Sequence, residues 1–282
     1  MEMITDNETN FLYFSKELEA RSNFFKSFCS LLNKHSIRYH ILDETKDIWA
    51  VDYMPIQSGI DRFIQFKYEP DYLQDDNYIL TQTDPIAVCK TIDLQVIESN
   101  IKIDGGNVIK GKNWVILTDK IFKENSSLKK NQLLRELEKI FGVEIIIIPH
   151  DPIDFTGHAD GIVRYYTNDT VLINHYNPKD NEGFQNSLKT ALKSHGLKTI
   201  EVSYNPYQNS SIDSADGLYI NYLQMENFIL LPTFHKRDDE IAFRQFEQLF
   251  PRQTIETIDS RQISKDGGVL NCITWNTKSV LS

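Results

Sequence analysis

The chain has 282 residues, 40% hydrophobic and 25% charged, with a formal net charge of −10. That is ordinary globular composition, and its acidic balance argues against nucleic acid, because phosphate recognition needs clustered Lys and Arg. No apolar run reaches the roughly 18–20 residues that span a bilayer, and the acidic start MEMITDNETN lacks the basic and apolar regions of a signal peptide, so a cytoplasmic protein with no membrane contact is expected.

From the N-terminus, the sequence predicts a strand in NFLYFS, a helix from about Lys16 to His35 and a strand in RYHIL. A recurring pattern then follows. Each unit opens with a small or acidic residue beside or near glycine and continues as strand, strand, helix, strand. One unit opens at Asp104-Gly105-Gly106, includes the strand WVILTD, a helix in LKKNQLLRELEKIFG and the strand VEIIIIP. The helix reading rests on Leu133, Leu134, Leu137, Ile140 and Phe141, which recur at three- and four-residue spacing. The next opens at Gly157-His158-Ala159-Asp160-Gly161 and runs through IVRYY, TNDTVLIN, a helix in GFQNSLKTALKSHG and KTIEVSY. Another opens at Asp216-Gly217, with strands in LYINYLQ and NFILLP, a helix in EIAFRQFEQLFP and a strand in QTIETID; its acidic run Arg237-Asp238-Asp239-Glu240 suits a helix start.

The openings at 52, 104, 158, 216 and 267 lie 52, 54, 58 and 51 residues apart. The last, DGGVLNCITW, has a single strand, and the N-terminal strand–helix–strand supplies what it lacks. An open row of units would leave exposed edges. The expected fold is therefore α/β, a ring of five strand–strand–helix–strand modules, with residues 1–282 as one domain.

Equivalent module positions converge on the axis of such a ring. The openings carry Asp52, Asp104, His158 with Asp160, and Cys272. His158 and Asp160 are two apart on a predicted strand and would leave on one face. Each alone has a structural reading: a core histidine, turn aspartates, an inert buried thiol, as is expected of Cys29 and Cys89. Gathered at corresponding positions, they suggest chemistry on a guanidinium. Opposed carboxylates can grip that planar, permanently cationic fork, a thiolate can attack its carbon, and an imidazole can move protons. Three well-separated cysteines give no disulfide framework and no CxxC pattern. A metal hydrolase using His158, Asp160 and Asp104 would lack a second well-spaced histidine, so no metal or other cofactor is expected. Gly105-Gly106-Asn107 has no phosphate-loop spacing. Arg164, on the face of His158 and Asp160, reads as ion-paired or solvated, with a substrate carboxylate as the alternative.

Four motifs resemble the agmatine deiminase and bacterial peptidylarginine deiminase family of the guanidino-group-modifying (pentein) superfamily. They are Asp47-Ile-Trp49-Ala-Val-Asp52-Tyr-Met-Pro55, Ile103-Asp104-Gly-Gly-Asn107, Gly157-His158-Ala-Asp160 and Gly267-Gly268-Val-Leu-Asn-Cys272-Ile-Thr274. The resemblance implies a fivefold pseudo-symmetric α/β propeller and a hydrolase that converts agmatine, arginine or a related guanidine to a ureido product and ammonia, the agmatine branch serving polyamine biosynthesis. It also implies roles: Cys272 as nucleophile forming a thiouronium adduct, His158 as general acid and base, and Asp52 and Asp160 as carboxylates on the guanidinium. Asp104 stands where agmatine deiminases have glutamate, and Trp49 matches an aromatic near the substrate channel, or else is a core tryptophan. The expected partner is a cationic guanidino compound, free or within an arginine-containing peptide; a homo-oligomer is compatible. Val51, Met54 and Asn271 replace the family's arginine, glycine and histidine. An amidinotransferase, a dialkylarginine-type hydrolase or a non-catalytic guanidine-binding module could use the same site. The far end of the substrate is expected to be read by loops such as Asn205–Ser214.

Overall fold

The computed structural model describes residues 2–76, 78–177, 179–203 and 214–279. In chain order its strands are β1 (Phe11–Ser15), β2 (Tyr39–Leu42), β3 (Ile56–Gly59), β4 (Arg62–Lys67), β5 (Ile97–Lys102), β6 (Ile109–Lys110), β7 (Trp114–Thr118) and β8 (Glu144–Ile148). The second half adds β9 (Val163–Thr167), β10 (Thr170–Asn174), β11 (Lys198–Val202), β12 (Leu223–Met225), β13 (Phe228–Thr233), β14 (Thr254–Asp259) and β15 (Thr274–Thr277). They form five three-stranded sheets: β3-β4-β5, β6-β7-β8, β9-β10-β11, β12-β13-β14 and β15-β1-β2. In each, the middle strand runs antiparallel to the first and parallel to the third. A parallel neighbour needs a crossover, which a helix supplies every time. The fold is thus the expected fivefold pseudo-symmetric α/β propeller, and β15 closes it by pairing Thr277 with Phe11 and Thr274 with Phe14.

The helices are amphipathic at a four-residue interval. Ser22–Lys34 buries Phe24, Phe28 and Leu32; Lys130–Phe141 buries Leu133, Leu137 and Phe141; Glu182–Ser194 buries Phe184, Leu188 and Leu192. Each large apolar side chain withdrawn from water contributes about 1.5–3 kcal/mol. Gly142, at φ 74°, ends Lys130–Phe141 in the left-handed conformation that a side chain disfavours. In the shorter helix Pro85–Thr91, the Asp84 carboxylate caps the N–H groups of Ile86 and Ala87. Helix Asp238–Leu249 carries Asp238, Asp239 and Glu240 in its first turn, as expected.

Four local expectations are corrected. Residues 16–35 are not one helix: the Ser15 hydroxyl accepts from Glu17 N, starting a tight 3-10 turn over Lys16–Ala20, and Arg21 breaks it before Ser22. Leu218–Tyr222 is turn rather than strand, closed by Asn221 N donating to Leu218 O. His158 caps a 3-10 turn, Ala159–Gly161, that contains Asp160, so the alternation of a strand does not bring them together. Cys272 precedes β15 in a turn whose Ile273 N donates to Val269 O. Among the described residues, no helix is long and apolar enough to cross a membrane.

Candidate active site

The turns just before the first strand of each sheet meet. Asp52 ends four residues before β3, Asp104 five before β6, Asp160 three before β9, Asn221 two before β12 and Cys272 two before β15. Every predicted opening except Asp216 contributes. Asp216 instead accepts from the Ser264 hydroxyl, and its module sends Asn221.

Glycines let the turns approach. A Cβ on Gly105 would lie 1.9 Å from Val51 O, and one on Gly106 would lie 2.5 Å from Asp52 Oδ1 and 2.6 Å from His158 Nδ1. A Cβ on Gly268 would stand 2.5 Å from the Trp49 ring and 3.1 Å from Cys272 Sγ. The two Gly-Gly motifs therefore clear space at the site. Val51 N donates to Cys272 O at 3.3 Å, tying the first opening to the last.

Around the thiol, a carboxylate is held by neutral amides. Cys272 Sγ donates to Asp160 Oδ2 at 3.4 Å, and the same oxygen accepts from Asn221 Nδ2 at 3.1 Å and Asn271 Nδ2 at 2.8 Å. Asn221, fully buried, turns its Oδ1 to the N–H groups of Asn271 and Cys272 at 3.1 and 3.3 Å. Burial, then the charges of Asp160 and Asp52, push the Cys272 thiol well above its usual pKa.

Around the imidazole, the contacts are charged. His158 Nε2 donates to Asp104 Oδ2 at 3.0 Å, so the shorter aspartate reaches the histidine. Its Nδ1 lies 3.5 Å from Asp52 Oδ1, which also accepts from Gly106 N at 3.0 Å. Burial alone would disfavour the imidazolium, but Asp52 and Asp104 outweigh it and raise His158 to about 9. Burial pushes Asp52 up to about 8, and Asp160, Asp104 and Asp47 push the same way against His158. The Tyr72 hydroxyl is 3.4 Å from both Asp104 Oδ2 and His158 Nε2. Behind Asp104, Lys120 and Glu124 have side chains only 7% and 4% exposed.

Beside this cluster opens a cavity of about 610 Å³ walled by Trp49, Tyr68, Tyr72 and Phe155 among others. Its lining carries both signs of charge: Arg21, Lys46 and Lys265 against Glu17, Asp47 and Asp266. Trp49 is half-buried, lines the cavity and packs against the core, which joins its two expected readings. Residues 205–213 of the loop assigned to the far end of the substrate lie outside the described residues.

Arg164 takes its ion-paired reading. It is buried, donates to Tyr222 O at 3.0 Å and Asp6 Oδ2 at 2.9 Å, and lies over the Tyr222 ring. Cys89 is a core residue whose thiol burial pushes to about 12. Sequence reasoning missed Asn221, Tyr72, Lys120 and Glu124. Only Asn221 carries a signal, since it precedes its first strand by the same two residues as Cys272.

A model of the Porphyromonas-type peptidyl-arginine deiminase family matches residues 1–277. Relatives that carry the name "Putative agmatine deiminase" include two that illustrate the range of coverage. One, from Streptomyces avermitilis, is 28% identical over 62% of this chain and 57% of its own length; the other, from Streptococcus mutans, is 23% identical over 87% and 77%. The chain thus spans little more than half the length of the first. Among solved structures, a cysteine-to-serine variant of C. jejuni agmatine deiminase with substrate bound superposes with a TM-score of 0.80 at 19% identity, covering 99% of this chain and 96% of that one.

Proposed function

The chain belongs to the Porphyromonas-type peptidyl-arginine deiminase family, and from that premise we propose that it is a cysteine-dependent deiminase hydrolysing a guanidinium to a ureido group and ammonia. One observation carries the reading: Asp160 holds the Cys272 thiol while Asp52 lies against His158, so two carboxylates stand between a thiol and an acid–base group. The amides and the thiol around Asp160 add no positive charge. A guanidinium seated between Asp52 and Asp160 supplies it, by charge-assisted bonds that fix its carbon. The same cation offsets the carboxylates that keep the thiol protonated, so substrate itself favours the thiolate.

In this mechanism the Cys272 thiol loses its proton to solvent as substrate binds, and the thiolate forms a C–S bond to the guanidinium carbon. His158, protonated in the free enzyme by Asp52 and Asp104, gives a proton through Nδ1 to the departing nitrogen, because Nε2 is engaged by Asp104. The C–N bond breaks, ammonia leaves and a thiouronium remains. Neutral His158 then takes a proton from water as its oxygen attacks the same carbon. Collapse breaks the C–S bond and regenerates the thiolate, the hydroxyl proton passes to solvent as the urea is released, and His158 is left protonated as at the start. The remainder of the substrate extends into the cavity beside Trp49 and Tyr72, whose mixed charges suit an arginine α-carboxylate and ammonium, or a peptide end, as well as agmatine.

The test offers agmatine, free arginine, peptides with C-terminal or internal arginine and small guanidines to the protein and to Cys272→Ala, with ureido product and ammonia measured. Turnover is expected only from the unmutated chain, a loss of at least about 10³-fold in the variant. No consumption of any guanidine, or activity retained by Cys272→Ala, rejects the proposal.

A further inference from the structure

Lys120 belongs to no motif, yet it is one of the most enclosed charges in the chain. It lies in the short helix Lys120–Glu124 that follows β7. Its ammonium sits 3.1 Å from Glu124 Oε1, 3.4 Å from Asp71 Oδ1 and 3.7 Å from Asp104 Oδ2, and 4.7 Å over the Tyr72 ring. None of these contacts is aligned as a hydrogen bond. The ammonium therefore acts as a point charge shared among three carboxylates and a ring face. A buried cation with no directional partner is costly unless its neighbours hold it, and here the neighbours belong to the acid–base apparatus.

Three contacts tie Lys120 to His158. Asp104, the first, is the acceptor of His158 Nε2. Tyr72, beneath the ammonium, has its hydroxyl equidistant from Asp104 Oδ2 and His158 Nε2. Gly157, next to His158, lies against the aliphatic stem: a Cβ there would be 3.0 Å from Lys120 Cδ, at a φ of +63°. The groups facing His158 are Asp52, Asp104, Tyr72 and Lys120; those facing Lys120 are Asp71, Asp104, Glu124 and Tyr72, with Lys123 paired to the far side of Asp71.

We propose that Lys120 is a positioning residue for the acid–base pair: its ammonium fixes the Asp104 carboxylate and the Tyr72 ring so that His158 keeps Nε2 engaged and Nδ1 toward the substrate. This rests on the reading of His158 as acid and base. Electrostatics runs the same way. Burial and the carboxylates around His158 act against each other, and Lys120 draws its pKa back down. Burial of Glu124, with the charge of Asp104, raises that carboxyl to about 7, so the counter-charge to Lys120 titrates near neutrality.

The experiment compares Lys120→Met, which keeps the stem and removes the charge, with Lys120→Arg and Glu124→Gln. Each is followed by thermal unfolding, by NMR titration of ¹⁵N-labelled His158 and by the pH profile of kcat and KM. Lys120→Met is expected to lower kcat roughly 10- to 100-fold with KM changed less than about threefold, because misplacing a reacting group costs turnover before binding. His158 should then titrate at higher pH. Lys120→Arg should restore most of kcat, and Glu124→Gln should move His158 the opposite way. A folded Lys120→Met protein with unchanged His158 titration and kcat overturns the proposal, as does an equal loss in Lys120→Arg. Because the NMR titration needs no turnover, it decides the positioning role even if no guanidine is hydrolysed. If Lys120→Met does not fold, Lys120→Arg and Glu124→Gln decide alone: the proposal requires His158 to titrate near its unmutated value with the charge retained and at lower pH with the counter-charge lost.

Discussion

The two sides of the candidate site are built from different materials. Cys272 and Asp160 are held by amides, Asn221 and Asn271, which donate and accept without adding charge. His158 and Asp104 are held by ions: Asp52 on one flank, Lys120 with Glu124 and Asp71 on the other. Neutral partners fix the geometry of the thiol side while leaving its negative potential for a ligand to meet. Charged partners set protonation on the imidazole side before any ligand arrives. A site built this way is shaped for a cation at one end and stocked with a proton at the other.

Three changes break or sharpen this contrast. His158→Gln strikes the charged side directly and is expected to cut kcat by about 10² to 10⁴-fold, the usual yield of general acid–base catalysis, while a titration with a guanidine ligand still reports binding. Unchanged kcat would remove the imidazole from the chemistry. Asn221→Ala strikes the neutral side. It frees Asp160 from one donor and strands the Cys272 N–H, while Asn271 N keeps the Asn221 backbone carbonyl, so stability should drop about 1–3 kcal/mol in denaturant unfolding and kcat/KM should fall roughly 10- to 100-fold. A loss of stability without loss of activity would make Asn221 a fold residue only.

The mildest probe is pH. Asp52 and His158 both have native pKa values raised above their unfolded ones, to about 8 and about 9. Between the unfolded and native values the native state binds protons that the unfolded chain has lost. This stabilisation is fully present below the unfolded values and disappears as pH rises through about 8 and then 9. The Tm of the free protein should therefore fall across pH 7–9, at roughly 2–4 °C per kcal/mol for a chain of this size. A guanidinium ligand, which favours ionised Asp52, should bind more tightly as pH rises through about 8. A flat Tm profile would mean that the two groups do not hold the protons assigned to them.

Much of the ring was legible because burial imposes periodicity. The four-residue spacing of Leu133, Leu137 and Phe141 and the run EIIII of β8 follow from helices and strands facing a core. The turns that bear the candidate site were less so. His158–Asp160 and Asn271–Ile273 look like strand by composition, but local N–H to C=O bonds close them into turns, which a pattern of apolar residues does not encode. Asn221 hides for a different reason: an amide is an ordinary turn residue until its partners are known. Tyr72 reaches His158 from the 3-10 turn Asp71–Leu73 and Lys120 reaches Asp104 from a short helix, both far along the chain from His158, and no spacing links them to it.

Ring closure has a consequence for how the chain acquires reactivity. The sheet that joins the ends pairs β15 with β1, and bonds beside it span 269 residues. Contacts so distant in sequence close the largest possible loop, so they carry the greatest entropic cost and form late. Cys272 lies two residues before β15. During synthesis, the carboxylates and the histidine can assemble while the thiol is still outside the cluster, and only the final docking brings it to Asp160. A chain halted short of closure would hold the carboxylates and the histidine without the thiol, so the burial of this one cysteine reports closure of the ring.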